Sequence, residues 1–433
     1  MSVRLAQRPG PAASLVVRGA RILDPVAGID RVGDLVVREG RIGGAPDGLP
    51  EVDGRGLVAL PGFVDPHVHL RTPGREDTED IASGTAAAAA GGFVTIVGMP
   101  NTQPPLDDPE GLVALLELAA REAAVRVGFF CAITRGQEGH ELTEAAELAA
   151  IGAAGLSDDG RPVWDARVMR RALQYQRLAG LPLVLHEEEP RLAAGGAMHE
   201  GAVSARLGVP GIPSEAESVM VARDVALARL EGGRIHICHV SARATVDEVR
   251  RGKEAGVRVT AEVSPHHLLL CDEDAASLDA TTRKMNPPLR GRDDREALLE
   301  ALADGTIDCI ATDHAPHGAS EKELPFEEAP FGVTGLETAF AVLHTDLVRT
   351  GRLPLETLAR RLGADAARVV DLPAPSLAEG SVADVALVDP EARWTVGEGG
   401  FRSKSRNSAF LGRELTGRVV LTIAGGQVAW RMQ

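Results

Sequence analysis

The stretch FVDPHVHLR, residues 63–71, is typical of a buried β-strand with two histidines on one face, and a segment of helical period follows it at residues 78–90. Seven more β-branched runs alternate with helical patterns as far as residue 317. They are FVTIVGMPNT, VRVGFFCAIT, AAGLSDDG, LPLVLHEEE, GRIHICHVS, VRVTAEVSPHH and DCIATDHAPH. Strands that alternate with helices form parallel sheets. Eight such units predict an α/β fold built on a TIM (β/α)8 barrel.

The two flanks of this region have a different pattern. Residues 14–60 and 380–433 contain short strands separated by glycine turns, which is typical of antiparallel β-structure. Neither flank alone could bury much apolar surface, so we expect the two to pair into one small, discontinuous β-sandwich domain. The predicted division is 1–62 for its N-terminal part, 63–375 for the barrel and 376–433 for its C-terminal part.

Composition excludes several classes of function. A formal net charge of −16 with 3% aromatic residues argues against a nucleic-acid-binding surface, which needs a basic face. No window approaches the ~18 consecutive apolar residues of a membrane span, and the N-terminus lacks the pattern of a secretory signal. We therefore expect a cytoplasmic protein. The four cysteines lie far apart without a CxxC pair and are predicted to be buried free thiols, namely Cys131, Cys238, Cys271 and Cys309.

Polar residues end most of the predicted barrel strands, where the chemistry of this fold lies. Side chains along a strand alternate, so His67 and His69 share a face and can reach one metal ion. Imidazole and carboxylate without thiolate suit Zn²⁺, with Mn²⁺, Co²⁺ or Fe²⁺ as alternatives. Six ligands are too many for one tetrahedral ion, so we expect two zinc ions per subunit that share a bridging carboxylate. The candidate ligands are His67, His69, Asp159, His186, His239 and Asp313.

Other polar residues near these strand ends have structural alternatives. The sequence DDG is common in turns, so Asp158 is interpreted as a turn residue and Asp159 as the ligand. His236 is expected on the opposite face of its strand from His239. The remaining histidines are interpreted as outer contacts of the site or as structural residues, namely His266, His267, His140, His199 and His344.

Two motifs carry a family resemblance. DPHVHLRTP at 65–73 and ATDHAPHGASEK at 311–322 resemble the paired signatures of class I dihydroorotases in the amidohydrolase superfamily, and the likeness covers nearly the whole chain. The motifs between them are GMPNTQP, LSDDG, HEEE, CHVS and KMNPPLR. The resemblance implies reversible cyclisation of N-carbamoyl-L-aspartate to L-dihydroorotate in pyrimidine biosynthesis. It implies a binuclear metal-bound hydroxide as nucleophile and Asp313 as general acid and base.

The resemblance also assigns residue roles. His67, His69, Asp159 and Asp313 would hold one metal or be shared between both, with Asp159 as the bridge, and His186 and His239 would hold the second. Residues implied in substrate binding are His69, Arg71, Asn101, Asn286, His317, Phe331 and Gly332. Many relatives on this scaffold build the bridge from a carboxylated lysine, but the first lysine here is Lys253, well past the fourth strand. A homodimer and a complex with aspartate carbamoyltransferase remain open.

Two other functions compete with this interpretation. Another cyclic amidase, a dihydropyrimidinase or allantoinase, would share the scaffold, but a neutral ring offers nothing for a guanidinium at Arg71. A non-catalytic barrel that serves as a structural partner of aspartate carbamoyltransferase would be expected to have lost ligands, and all six are present.

Two details near the mouth of the site complete the predictions. The family more often has Glu where this chain has Thr72, which is expected to alter how Arg71 is oriented. The segment 317–332, with glycines near both ends and no clear period, is predicted to be a mobile lid over the ring.

Overall fold

The computed structural model describes residues 3–432. Strands before the barrel are β1 (Leu15–Asp24), β2 (Ile29–Arg38), β3 (Arg41–Ile42), β4 (Glu51–Asp53) and β5 (Val58–Pro61). The central region contains β6 (Phe63–Val68), β7 (Phe93–Gly98), β8 (Arg126–Cys131), β9 (Gly155–Leu156), β10 (Leu183–Leu185), β11 (Met198–His199), β12 (Gly211–Ile212), β13 (Arg234–Ile237), β14 (Arg258–Val263) and β15 (Cys309–Ile310). The last strands are β16 (Val385–Thr395), β17 (Glu414–Ala424) and β18 (Gln427–Arg431).

Eight of these strands form the barrel, in the order β15-β14-β13-β10-β9-β8-β7-β6. Every hydrogen-bonded neighbour in this sheet is parallel. A parallel bridge between Val68 and His314 joins the first strand to the chain beyond the last. The buried carboxylate of Asp65 reinforces this seam, since it accepts hydrogen bonds from the backbone and hydroxyl of Thr312. The predicted TIM barrel is confirmed.

Helices follow the barrel strands and cover the sheet from outside. They are α1 (Ile81–Ala90), α2 (Pro109–Glu122), α3 (Ala145–Ile151), α4 (Ala166–Ala179), α5 (Pro190–Ala193), α6 (Ala202–Leu207), α7 (Glu215–Glu231), α8 (Arg243–Glu254), α9 (Pro265–Leu269), α10 (Arg292–Asp304), α11 (Ala319–Lys322), α12 (Ala339–Leu343), α13 (Leu355–Leu362) and α14 (Ala364–Val369). None of the helices within residues 3–432 is both long and apolar enough to cross a membrane.

Local sequence explains where these helices begin and end. The side chain of Asp80 accepts a hydrogen bond from the Ser83 backbone and starts α1, in the usual manner of an N-cap. Asp165 caps α4 in the same way, and Gly180, in the left-handed conformation, ends it. Both helices bury apolar residues, among them Ala88 of α1 and Leu173 of α4.

The flanks pair into a second sheet of eight strands, ordered β18-β17-β16-β5-β1-β2-β3 with β4 on β1. The strands enclose their own apolar core, which includes Val17, Leu35, Leu387 and Ile423. The sheet is mixed, whereas the sequence predicted antiparallel pairing. The loop at residues 43–50 returns the chain to the start of β1, so β4 runs parallel to β1. The limits 1–62, 63–375 and 376–433 remain our proposal for the domains.

Candidate metal centre and substrate pocket

Four histidines and two aspartates meet at the carboxyl ends of the barrel strands. Asp159, which follows β9, lies at the centre of the group. Its Oδ1 is 3.5 Å from His67 Nε2, 3.7 Å from His186 Nδ1 and 3.8 Å from His239 Nε2. Its Oδ2 is 3.6 Å from His69 Nε2. The structure therefore brings these predicted ligands around one carboxylate.

Asp313, just beyond β15, completes the cluster. Its Oδ1 is 3.3 Å from His69 Nε2 and 3.5 Å from His67 Nε2. On the opposite side of the cluster, His186 Nδ1 is 3.0 Å from His239 Nε2. All six predicted ligands are buried.

The side chains fit a metal site. His67 Nε2 and Asp159 Oδ1 are buried and have no hydrogen-bond partner among the described residues. Such atoms are costly to bury unless they are satisfied by another group. Two overlapping sets have ligand atoms within 4.8 Å of one another, namely His67, Asp159 and His239, and His67, His69 and Asp313. Neutral imidazoles and carboxylates of this kind bind divalent metals.

A second ring of residues orients the histidines. Glu262 on β14 lies 2.7 Å from His67 Nδ1 and 3.0 Å from His236 Nε2. Burial acts to raise the pKa of Glu262, but the two histidines outweigh it and hold the pKa at about 2. Asn101 Oδ1 lies 2.8 Å from His69 Nδ1, and its Nδ2 donates to Asp159 Oδ2 at 3.2 Å. These contacts direct Nε2 of His67 and His69 toward the centre, as outer partners of metal ligands do.

Neighbouring groups that resemble ligands have structural roles. Asp158 faces away from the cluster and accepts hydrogen bonds from the backbones of Ile133 and Thr134. Asp158 therefore lies outside the cluster, whereas the adjacent Asp159 lies at its centre. All four cysteines are free and buried, as predicted. Burial raises the pKa of Cys238, so its thiol stays protonated beside His67.

A cavity of about 240 Å³ opens over this cluster. All seven predicted substrate-binding residues line it: His69, Arg71, Asn101, Asn286, His317, Phe331 and Gly332. Four of the candidate metal ligands besides His69 line the floor: Asp159, His186, His239 and Asp313. The structure thus places the predicted substrate contacts and the predicted metal centre around one space.

Arg71 is the main positive charge in this cavity. Its Nε donates to Pro316 O at 3.1 Å, and its Nη2 lies 3.4 Å from His317 Nε2. Burial lowers the pKa of Arg71 to about 10, so the guanidinium remains charged at neutral pH. Among residues 3–432 no carboxylate forms an ion pair with it, which leaves the cation available to an anionic ligand. Thr72 Oγ1 is buried and has no hydrogen-bond partner among residues 3–432, so it makes no bond to Arg71.

The segment 317–332 covers one side of the cavity. His317 Nε2 lies 2.7 Å from Phe331 O, which joins the two ends of the segment. Gly332 has φ +125°, and a Cβ there would lie 2.7 Å from Ala315 Cβ, so only glycine fits. Lys322 is buried and donates to Pro330 O at 2.7 Å. The segment is packed in place here, and its mobility remains a prediction.

Three site residues adopt the left-handed backbone region, which is unfavourable for residues other than glycine. Arg71 has φ +57°, His239 has φ +32° and Asp313 has φ +48°. Each lies at or just beyond the end of a barrel strand, where the chain turns its side chain into the cavity.

Sequence reasoning did not assign three residues that support the site. Glu262 is the one acidic residue in the strand RVTAEV. An acidic residue within a barrel strand could have indicated a buried partner for His67. Asp65 lies two residues before His67 and holds the barrel seam. Asn407 lies far away in sequence, and no local signal connects it to the cavity.

Comparisons with known proteins place this chain in a family. A family model described as Dihydro-orotase-like matches residues 56–245. Among similar sequences, a dihydroorotase from Anaeromyxobacter dehalogenans is 49% identical, over 96% of this chain and 97% of the relative. A dihydroorotase from Geobacter metallireducens is 44% identical, over 96% of this chain and 100% of the relative.

Similar solved structures support the fold. A dihydropyrimidinase from Brevibacillus agri has a TM-score of 0.83 at 22% identity, over 97% of this chain and 95% of that one. An L-hydantoinase from Arthrobacter aurescens has a TM-score of 0.84 at 24% identity, over 96% of this chain and 95% of that one. At this level of identity the likeness concerns the architecture alone.

Proposed function

Because this chain belongs to the dihydroorotase family, it is a metal-dependent cyclic amidohydrolase, and we propose that it interconverts N-carbamoyl-L-aspartate and L-dihydroorotate in pyrimidine biosynthesis. One observation carries the choice of substrate. Arg71 forms no ion pair within residues 3–432, and its charged guanidinium faces a cavity that also opens onto the predicted metal centre. Dihydroorotate carries a carboxylate beside the ring, whereas the neutral rings of hydantoin and allantoin do not.

We propose that the centre holds two zinc ions. His67, His69 and Asp313 would hold one, His186 and His239 the other, and Asp159 would lie between them. When bound, the ions supply Lewis acidity to the carbonyl under attack and make water a better nucleophile at neutral pH. The central position of Asp159 among four imidazoles supports a shared ligand.

Asp313 is proposed as the general acid and base. Its carboxylate lies at the floor of the cavity, where it can accept a proton from the attacking water. As the oxygen of water bonds to the ring carbonyl carbon, the ring carbon–nitrogen bond breaks, and Asp313 delivers the proton to the departing nitrogen. Ring closure uses the same residue in reverse.

The remaining cavity residues are proposed to bind and orient the substrate. Arg71 and Asn101 would hold the carboxylate, since a guanidinium matches its planar geometry. Asn286 and His317 would contact the ring, together with the backbone of Phe331 and Gly332. Burial, with Arg71 as the next cause, lowers the pKa of His317 to about 3, so this imidazole would bind as a neutral group.

An ultraviolet assay of dihydroorotate with metal-reconstituted protein tests the proposal, with hydantoin and allantoin as control substrates. Turnover of dihydroorotate alone is the expected result. Turnover of hydantoin without dihydroorotate would instead identify a different cyclic amidase. The class I subtype, a homodimer and a complex with aspartate carbamoyltransferase remain predictions, as does the cytoplasmic location expected from the sequence. Light scattering with and without the transferase tests the homodimer and the complex.

A further inference from the structure

A short stretch of the C-terminal region reaches the catalytic end of the barrel. Residues 403–408 belong to the connection between β16 and β17, which are strands of the flanking sheet. Ser408 forms a parallel bridge with Thr334, and the backbone of Asn407 accepts a hydrogen bond from Thr334 at 3.2 Å. Val333 pairs in turn with His314. The connection therefore pairs like an extra strand with residues 333–334, which follow the cavity residue Gly332.

The side chain of Asn407 makes three hydrogen bonds to the backbone around the cavity. Its Nδ2 donates to Ala315 O and to Gly332 O, each at 3.1 Å. Its Oδ1 accepts from the backbone of His317 at 3.3 Å. The residue is 5% exposed. Both donors of the carboxamide are therefore used, and the group is fixed in one orientation.

These bonds join the two ends of the segment 317–332. His317 and Gly332 are fifteen positions apart, and both line the cavity. One planar carboxamide sets the distance between their backbones, and with it the position of the His317 ring against Phe331. The chain contains only three asparagines, Asn101, Asn286 and Asn407, and the other two line the cavity themselves.

Other contacts hold the middle of the segment, and backbone bonds reach its ends. Gly332 N donates to Lys284 O at 2.9 Å, and Ala315 N donates to Val333 O at 2.8 Å. Lys322 Nζ donates to Pro330 O at 2.7 Å, and Lys284 Nζ donates to Phe326 O at 2.6 Å. Neither lysine side chain contacts His317 or the carbonyl of Gly332, whereas the Asn407 carboxamide bonds to the backbones of both. Loss of the Asn407 carboxamide would therefore free the His317 N–H and the Gly332 carbonyl, while the Gly332 N–H and the centre of the segment stay anchored.

We propose that Asn407 is a positioning residue of the reaction, which sets His317 and the Phe331–Gly332 backbone for the ring of the substrate. The proposal rests on the proposed function, because it assigns the segment to dihydroorotate. It predicts that the C-terminal region acts on substrate binding without touching the substrate.

The test uses the full-length holoenzyme with Asn407→Asp and Asn407→Ser. The first variant keeps an oxygen for the His317 N–H but loses both donated bonds, and the second loses them without adding charge. We expect KM for dihydroorotate to rise roughly tenfold, with a smaller change in kcat and unchanged metal content. Amide exchange should quicken in residues 315–332. Arg406→Gln, at an exposed neighbouring position, is the control.

Each outcome has a clear meaning. A raised KM together with faster local exchange in either variant supports the positioning role. An unchanged KM with unchanged amide exchange overturns it. A loss of activity that is fully explained by a lower content of folded protein overturns it as well. If the wild type does not convert dihydroorotate, the proposed function fails, while the exchange measurement still reports whether Asn407 holds the segment.

Discussion

Glu262 stands directly behind His67, with its Oε1 2.7 Å from His67 Nδ1 and its Oε2 3.0 Å from His236 Nε2. A carboxylate in this position accepts the Nδ1 proton, so the lone pair of Nε2 faces the centre of the cluster. One buried glutamate on β14 therefore decides which nitrogen of His67 is free to bind a metal.

Replacement of this carboxylate by an amide should weaken metal binding. In Glu262→Gln the charge that favours the required tautomer is lost, and outer partners of this kind typically contribute about 10–100-fold to metal affinity or activity. Metal titration of stripped protein followed by elemental analysis measures the change. Glu254→Gln, an exposed glutamate on α8, should behave as wild type. Equal metal affinity in the two variants would contradict the role of Glu262.

Asp159 and Asp158 should respond differently to substitution although they are adjacent. Asp159→Ala removes the carboxylate that lies among four imidazoles, so metal stoichiometry and rate should both fall. Asp158→Asn, which alters hydrogen bonds to Ile133 and Thr134, should lower the melting temperature and leave the metal content unchanged. An Asp159→Ala variant with two ions and normal turnover would place the bridge elsewhere.

A permanent carboxylate also needs no CO₂ for assembly. Metal-stripped protein is therefore expected to regain full activity with divalent metal alone, without stimulation by bicarbonate. Lys284 and Lys322 agree with this, because both donate to backbone carbonyls and neither lines the cavity. Reactivation assays with and without added bicarbonate, in degassed buffer, measure the effect. Dependence on bicarbonate would indicate a carboxylated lysine.

Arg71→Met should impair substrate binding more than metal binding. Loss of a charged contact with the carboxylate is expected to raise KM by roughly tenfold or more. Arg167→Met is the control, because Arg167 is exposed on α4 and does not line the cavity. Steady-state kinetics and metal analysis of both variants provide the comparison. A KM that stays at the wild-type value in Arg71→Met would show that this residue does not contact the substrate.

Glu337 should make folding stability depend on pH. Burial raises the pKa of Glu337 to about 7, above the value of about 4.3 expected in an unfolded chain. The native state then binds more protons between these values, so this contribution to stability is complete below about pH 4.3 and is lost as pH rises through about 7. Glu337→Gln keeps an oxygen that can accept from the Arg402 and Ser403 backbones. Its melting temperature should therefore increase relative to that of the wild type as pH rises. A difference in melting temperature between the two proteins that stays constant from about pH 5 to 8 would contradict this.

The sequence was sufficient for the barrel because its signals are local. Period-two alternation placed His67 and His69 on one face, and all eight predicted strands are present. The sequence, together with the family resemblance, also distinguished Asp158 as a turn residue from Asp159 as a candidate ligand. The sheet of the flanks was harder, since the parallel pairing of β1 with β4 depends on the path of a loop that carries no strand pattern.

The supporting residues of the site could not be found from local patterns. Glu262 occurs in an otherwise ordinary strand, and its role depends on contact with His67, which is 195 residues away in the chain. Asn407 depends on the path of a connection between two strands of the flanking sheet. Such contacts follow from tertiary packing, which composition and periodicity do not encode.

The left-handed backbone of Arg71, His239 and Asp313 has a consequence for how this enzyme can change. A residue other than glycine typically costs about 1–3 kcal/mol in such a conformation. At these three positions, glycine would relieve that cost while removing a group that the proposed reaction needs. Selection for heat resistance alone would therefore be expected to enrich inactive proteins with glycine there, and a directed-evolution campaign on this chain should screen for turnover at every round.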